Sequence, residues 1–398
     1  MKNTNSVAKR DNSENQTSHR KALHLICLLC LIILLIIIFA YLLPRREDTA
    51  NNGIVGFYCS NDRLNVFGDA VIGVYEIDTS NNSHDKIVDE AANSLYADED
   101  CIIYDNGCEV IAVNRKANSK KVLFSFDANT PEKVKFHKNA ELLDTPPIRR
   151  VGDIGKSGER IYFSYCISYE LMPDEHTNIG EEMWNYIYSY NLETDETEII
   201  KSSYYITPEI DHNNNKNYTS ISNINVKGDD IYYSDRTVVY RIDIETENEA
   251  ELFRCSEPII NLFWRNDGFD AFIWSDTGDV DCVRIDNFGN VIFSCPARTI
   301  SNDFFPQDVF YDVVGDRYLY MSDSKLKSVS FSDGSSDELS SEIEMTRKDY
   351  RLSLSDIYYD GDSTYLLFAK MHDYKPCGFT VLGVKDSKDI YTILDITD

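Results

Sequence analysis

Two stretches collect the side chains most able to do chemistry. Residues 166–185 hold Tyr169, His176 and Trp184 among Glu170, Asp174, Glu175, Glu181 and Glu182. Residues 202–220 hold Tyr204, Tyr205, His212 and Tyr218 beside Glu209 and Asp211. Aromatic faces next to carboxylates suit a sugar ring, a peptide side chain or a cation. Tyr169, Trp184, Tyr204, Tyr205, Tyr218, His176 and His212 are therefore the candidate ligand-binding residues. A metal is the sharper alternative, because His176 with Asp174 and His212 with Asp211 are ligand types that zinc accepts. Neither pair has the helical spacing of a metalloprotease, so no metal site and no cofactor are assigned. Catalysis is no better marked. The chain has no P-loop, EF-hand loop, dinucleotide fingerprint or nucleophile elbow. A glycosidase needs two carboxylates at a set separation, and 67 acidic residues make any pair chosen from sequence uninformative.

The elements that would carry these residues follow from a repeat. Residues 227–255 open on Gly228-Asp229, run into the aromatic strand Ile231-Tyr232-Tyr233-Ser234, and continue into a second strand over 238–244. A charged turn at 245–249 leads to a third strand ending at Phe253. Period-two alternation bounded by turn residues predicts a β-meander. Similar units recur around Phe269 to Cys295, Arg317 to Gly334 and Tyr365 to Leu394, and upstream around Phe57, Cys101 and Ile161. An inner strand precedes the aromatic one at 222–226, 259–264, 309–314 and 352–359. Seven units over residues 54–398 have a period of roughly 49, which predicts an all-β propeller of four-stranded antiparallel blades. Seven blades fit best, with six or eight open. The first unit shows no strand before Gly53, so a strand from elsewhere could complete it.

Blade topology turns loop length into a map. The connections from first to second and third to fourth strands are short, and they share one face. The long connections share the other: 166–185, 202–220, 136–156, 61–69 and 371–376. Binding residues on a rigid scaffold concentrate in such loops. The strand Tyr232-Tyr233-Ser234-Asp235 followed by Tyr240-Arg241-Ile242-Asp243 resembles the bacterial propeller family related to the YWTD repeats of low-density-lipoprotein receptors. Ile273 to Asp276 and Leu319 to Asp323 match more loosely. The resemblance implies an exported, non-enzymatic module and transfers no site residues; receptor propellers of that type have six blades.

Ahead of the repeat, residues 1–21 are polar and read as a disordered tail. Residues 22–43 form an uncharged apolar run, long enough to cross a bilayer, and 44–53 a linker. A cleaved signal peptide would have a shorter apolar core and a small-residue cleavage site, whereas this run ends at Leu43-Pro44-Arg45-Arg46. Lys2, Lys9, Arg10, Arg20 and Lys21 precede it, which predicts a single-pass cell-membrane anchor, cytoplasmic N-terminus and extracytoplasmic propeller. The chain's net charge is −28, and the part after residue 43 is more acidic still. That sign excludes nucleic acid as a partner. Of the eight cysteines beyond the apolar run, only Cys255 and Cys295 occupy equivalent places worth testing as a disulfide; free thiols are expected elsewhere. The expected function is non-catalytic recognition of a protein, peptide or cell-envelope glycan. The alternatives are a structural scaffold of an envelope assembly and a polysaccharide hydrolase or lyase.

Overall fold

A computed structural model describes residues 55–60, 63–68, 73–126, 141–142, 147–172, 180–206, 221–274, 280–296, 309–311, 317–330, 335–360, 362–373, 375–385 and 388–397. The chain divides into two units, residues 1–52 and 53–398. The first of these, with the apolar run at 22–43, lies outside the described residues. Among the described residues no helix is long and apolar enough to cross a membrane.

The second unit consists of seven antiparallel sheets, each formed by consecutive strands. Blade one is β1 (Val55–Ser60), β2 (Arg63–Gly68), β3 (Val74–Asp78) and β4 (Ser83–Val88). Blade two is β5 (Ser94–Ala97), β6 (Cys101–Asp105), β7 (Glu109–Asn114) and β8 (Ser119–Ser125). Blade three has an accessory strand β9 (Glu141–Leu142) ahead of β10 (Ile148–Ser157), β11 (Arg160–Met172), β12 (Gly180–Asn191) and β13 (Thr197–Ile206). Blade four is β14 (Ser222–Lys227), β15 (Asp230–Asp235), β16 (Val238–Asp243) and β17 (Glu249–Arg254). Blade five is β18 (Ile259–Arg265), β19 (Gly268–Trp274), β20 (Val280–Asp286) and β21 (Val291–Pro296). Blade six is β22 (Val309–Tyr311), β23 (Arg317–Ser322), β24 (Lys325–Ser330) and β25 (Ser336–Glu338). Blade seven is β26 (Arg351–Tyr359), β27 (Ser363–His372), β28 (Lys375–Lys385) and β29 (Ile390–Thr397). This is the expected seven-bladed propeller of four-stranded blades.

One unit is assembled differently from its sequence expectation. Phe57 to Cys59 lie in the innermost strand of blade one, not its second strand. They pair with β2, within the stretch expected to be a long loop at 61–69. Leu64 and Val66 have no exposed surface, so their alternation against Asn65 was the strand signal. Blade one is thus complete in itself and borrows no strand. The 371–376 connection is also shorter than expected, a tight hairpin in which His372 opposes Lys375.

Blades pack face to face, because each has apolar residues on both faces and one sheet cannot bury them alone. Phe124 and Phe126 of blade two meet Phe163, Tyr165 and Tyr188 of blade three. Leu64, Val66 and Ile77 of blade one pack with Leu367, Phe379 and Val381 of blade seven, so the first and last blades are neighbours. Polar bonds cross the same junctions. The Phe57 N–H donates to Asp356 Oδ2 at 2.8 Å, and the Ile224 N–H donates to Asp153 Oδ2 at 2.8 Å. Both acceptors lie at β-bulges of innermost strands, where the register shifts, and each reaches the innermost strand of the next blade.

Candidate functional site

Blade three departs most from its neighbours. Its β11 and β12 span 13 and 12 residues, where the corresponding strands of blade four span six each. The extra length lies at 166–172, 180–185 and 202–206, which corrects the loop expectation for those residues; 173–179 and 207–220 lie outside the described residues. Ile167 opposes Trp184, Tyr169 opposes Glu182 and Glu170 opposes Glu181. Trp184 in turn opposes Tyr204, and Met183 opposes Tyr205. β9 adds a further strand, pairing Leu142 with Leu171. The physical reason is the period-two run Phe163, Tyr165, Ile167, Tyr169 facing Tyr188, Tyr186 and Trp184 on one side of the sheet. Acidic residues between them gave the stretch its loop-like composition.

The sheet brings three of the candidate residues close together. Tyr169 is buried at 7 % exposure and belongs to the core against blade two. Trp184 and Tyr204 are half-buried, with ring centroids 4.6 Å apart. The Tyr204 hydroxyl donates to Glu182 Oε1 at 2.8 Å, and Glu182 is itself fully buried. Trp184 Nε1 is buried without a hydrogen-bond partner. On the reverse of the same sheet, the cross-strand neighbours Asn185 and Ser203 are buried too, and Asn185 Nδ2 and Ser203 Oγ lack partners. Buried donors left unpaired are costly, of order 1–3 kcal/mol each, and uncommon in a settled core. The Tyr205 backbone is placed in β13, while His176, His212 and Tyr218 lie outside the described residues, as do Asp174 and Asp211. Among the described residues no group of three or more His, Cys, Asp or Glu side chains is placed to hold a metal.

The most perturbed carboxyl groups lie elsewhere and already have partners. Burial pushes Asp356 up to about 7, against the pull of the Phe57 and Ile357 N–H groups. Burial likewise raises Asp153 to about 6, opposed by the Ile224 N–H. Asp105 of blade two is raised to about 6 by burial, opposed by the Gly107 N–H, Asn93 and the Val151 N–H of blade three. A perturbed carboxyl is a catalytic candidate in a cleft, but these three face strand backbone and join blades. A sequence signal for two of them was present and missed. Asp153 and Asp356 each precede a glycine by five residues, Gly158 and Gly361, and Asn223 precedes Gly228 by the same spacing.

The face with short connections is also less plain than expected. A cavity of about 480 Å³ opens there between blades one and two, lined by Arg63, Asp78, Asp98, Glu99 and Arg115. Cys255, one half of the disulfide candidate, is a free thiol whose Sγ donates to Glu257 O at 3.1 Å. The Cys295 side chain lies outside the described residues.

The class that this architecture defines is a seven-bladed β-propeller in which the middle strands of blades three and seven are elongated. No family model matches the chain. No curated protein matches it either. Among solved structures it is similar to a chain of the mitotic checkpoint complex, with 10% identity over 77% of this chain and 80% of that one, TM-score 0.44. BamB from Moraxella catarrhalis is similar at 11% identity over 78% and 80%, TM-score 0.39. A chain of a nidogen/laminin complex is similar at 8% identity over 60% and 78%, TM-score 0.36. Likenesses this remote carry no information about ligand or partner.

Proposed function

We propose that this protein is a non-catalytic recognition module that binds a protein partner through the elongated end of blade three. The observation that carries the reading is the Trp184–Tyr204 pair on a paired, rigid extension. Aromatic rings held on strands rather than loops lose little conformational freedom on binding, which is why such residues dominate contact energetics. The catalytic alternative gains no support from the buried carboxyls, whose bonds hold blades together. The apolar run at 22–43 supports placing this module outside the cell, tethered to the membrane by a single span. The resemblance to exported YWTD-type propellers points the same way.

The test is capture of partners from membrane extract by the full chain, compared with Trp184→Ala/Tyr204→Ala and with a version whose 173–179 segment is a short Gly-Ser turn. A specific protein recovered at least tenfold less by the double variant, with unchanged circular dichroism, is the expected result; tenfold is 1.4 kcal/mol. Equal recovery by all three would move the site off blade three.

A further inference from the structure

The cavity between blades one and two lies on the face opposite the proposed recognition surface and is built around arginine. Glu76 on β3 is almost fully buried, and two guanidinium groups converge on it. Arg63 Nη1 donates to Glu76 Oε1, and Arg115 Nη2 approaches Oε2 at 2.7 Å. The second contact is close but poorly aligned, because Oε2 has no hydrogen-bond partner although it is buried. No Arg115 N–H is thus aligned on the carboxylate beside it. Its Nε is buried and unpartnered, and its side chain is only 18% exposed. A largely buried guanidinium with unspent donors is an arrangement suited to an anion.

Two of the carboxylates that line the cavity, Asp78 and Asp98, have their oxygens engaged elsewhere. Asp78 accepts the Ser80 N–H at 2.9 Å, the Ser80 hydroxyl at 2.5 Å and Asn81 Nδ2 at 3.1 Å, all within its own turn. Asp98 accepts the Asp100 and Cys101 N–H groups, the Tyr96 hydroxyl and Lys156 Nζ. Burial opposes its ionisation, yet the Lys156 bond and the two N–H groups hold it down at about 2. The rim is thus firmly negative at neutral pH, while the floor holds two positive groups around one buried negative one. A dianion such as phosphate would be repelled by Asp78, Asp98 and Glu99 about twice as strongly as a monoanion.

We infer that this cavity binds a carboxylate, held by Arg115 at the floor and Arg63 at the mouth. Two sources share that chemistry, a small free carboxylic acid and the C-terminus of a peptide. The volume of about 480 Å³ suits either.

Saturation-transfer NMR on the purified full chain tests this with four probes: N-acetylglycine, its amide, trialanine and trialanine amide. Both acids should bind and both amides should not. Trialanine binding at least tenfold tighter than N-acetylglycine would identify a peptide terminus as the source, and equal affinities a small acid. Arg115→Met should weaken acid binding at least tenfold. Arg63→Glu, at a side chain more than half exposed and therefore tolerant of replacement, should abolish it. Amides binding as well as acids, no binding by either acid, or undiminished binding by Arg63→Glu would each overturn the assignment. So would inorganic phosphate competing more strongly than N-acetylglycine.

Discussion

At the scale of single residues, Lys370 makes the strongest demand on its surroundings. It has no exposed surface, and burying an ammonium is tolerable only if its charge and donors are met. Nζ reaches Thr397 Oγ1 at 2.6 Å and Asp395 Oδ1 at 2.7 Å, and lies 5.0 Å from the centre of the Tyr350 ring. Both oxygen partners are on β29, one strand beyond β28, so the side chain must cross β28. Gly378 opposes Thr397 in the register and has no side chain to block the passage. Its φ of +136° disfavours any other residue, and an added Cβ would lie 2.3 Å from Ile396 O. Lys370→Ala should lower unfolding stability by about 2–4 kcal/mol, whereas Lys370→Met, which refills the volume without a charge, should lower it far less. The urea midpoints of the two variants check the ordering. None of this was legible in the sequence. Lys370 follows the continuous apolar run Leu366 to Ala369 with nothing to mark a buried charge, and its partners are 25 and 27 residues away.

At the scale of elements, the junctions between innermost strands decide how the protein responds to acid. Asp356 on β26 takes the Phe57 N–H of β1, and burial raises its pKa to about 7, above its value in an unfolded chain. The folded state therefore holds the proton more tightly than the unfolded state. Stability from this group is complete below the unfolded carboxyl range near 4 and is lost as pH rises through about 7. Asp153 and Asp105 act in the same direction at about 6. Thermal melting should fall between pH 5 and pH 8, and Asp356→Asn should flatten that fall; scans across this range decide it. An unchanged slope in Asp356→Asn would assign the fall to general repulsion among the acidic side chains. The strands themselves were largely readable, because aromatic and β-branched runs such as Ile231-Tyr232-Tyr233 and Phe272-Ile273-Trp274 follow turn glycines such as Gly228 and Gly268. The far ends of β11 and β12 in blade three were not, because acidic residues there give the stretch a loop-like composition. The elongated sheet takes up 166–172, 180–185 and 202–206 of two expected loops, so Trp184 and Tyr204 were found as candidates for the wrong structural reason. Arg63 and Arg115 were invisible as a pair, since 52 positions separate them and only the packing of blades one and two unites them.

At the scale of the whole molecule, the seven sheets each use consecutive strands, and blades one and seven meet through Asp356, Tyr358 and apolar packing rather than a shared sheet. The Cys59 thiol donates to the Tyr358 hydroxyl at 2.8 Å across this contact. The joint between the last blade and the first is thus of the same kind as the joint between blades three and four, lacking only a covalent link. Closure of the ring then does not depend on which blade comes first in the chain. A circularly permuted chain, joined from Thr397 to Val55 by a flexible linker and opened within the 297–308 connection between blades five and six, should fold to the same seven blades. Its far-ultraviolet spectrum and melting transition should match the natural order, and its ends would emerge on a different side of the disc. The point at which any fused segment leaves the ring could then be chosen without altering either of its faces.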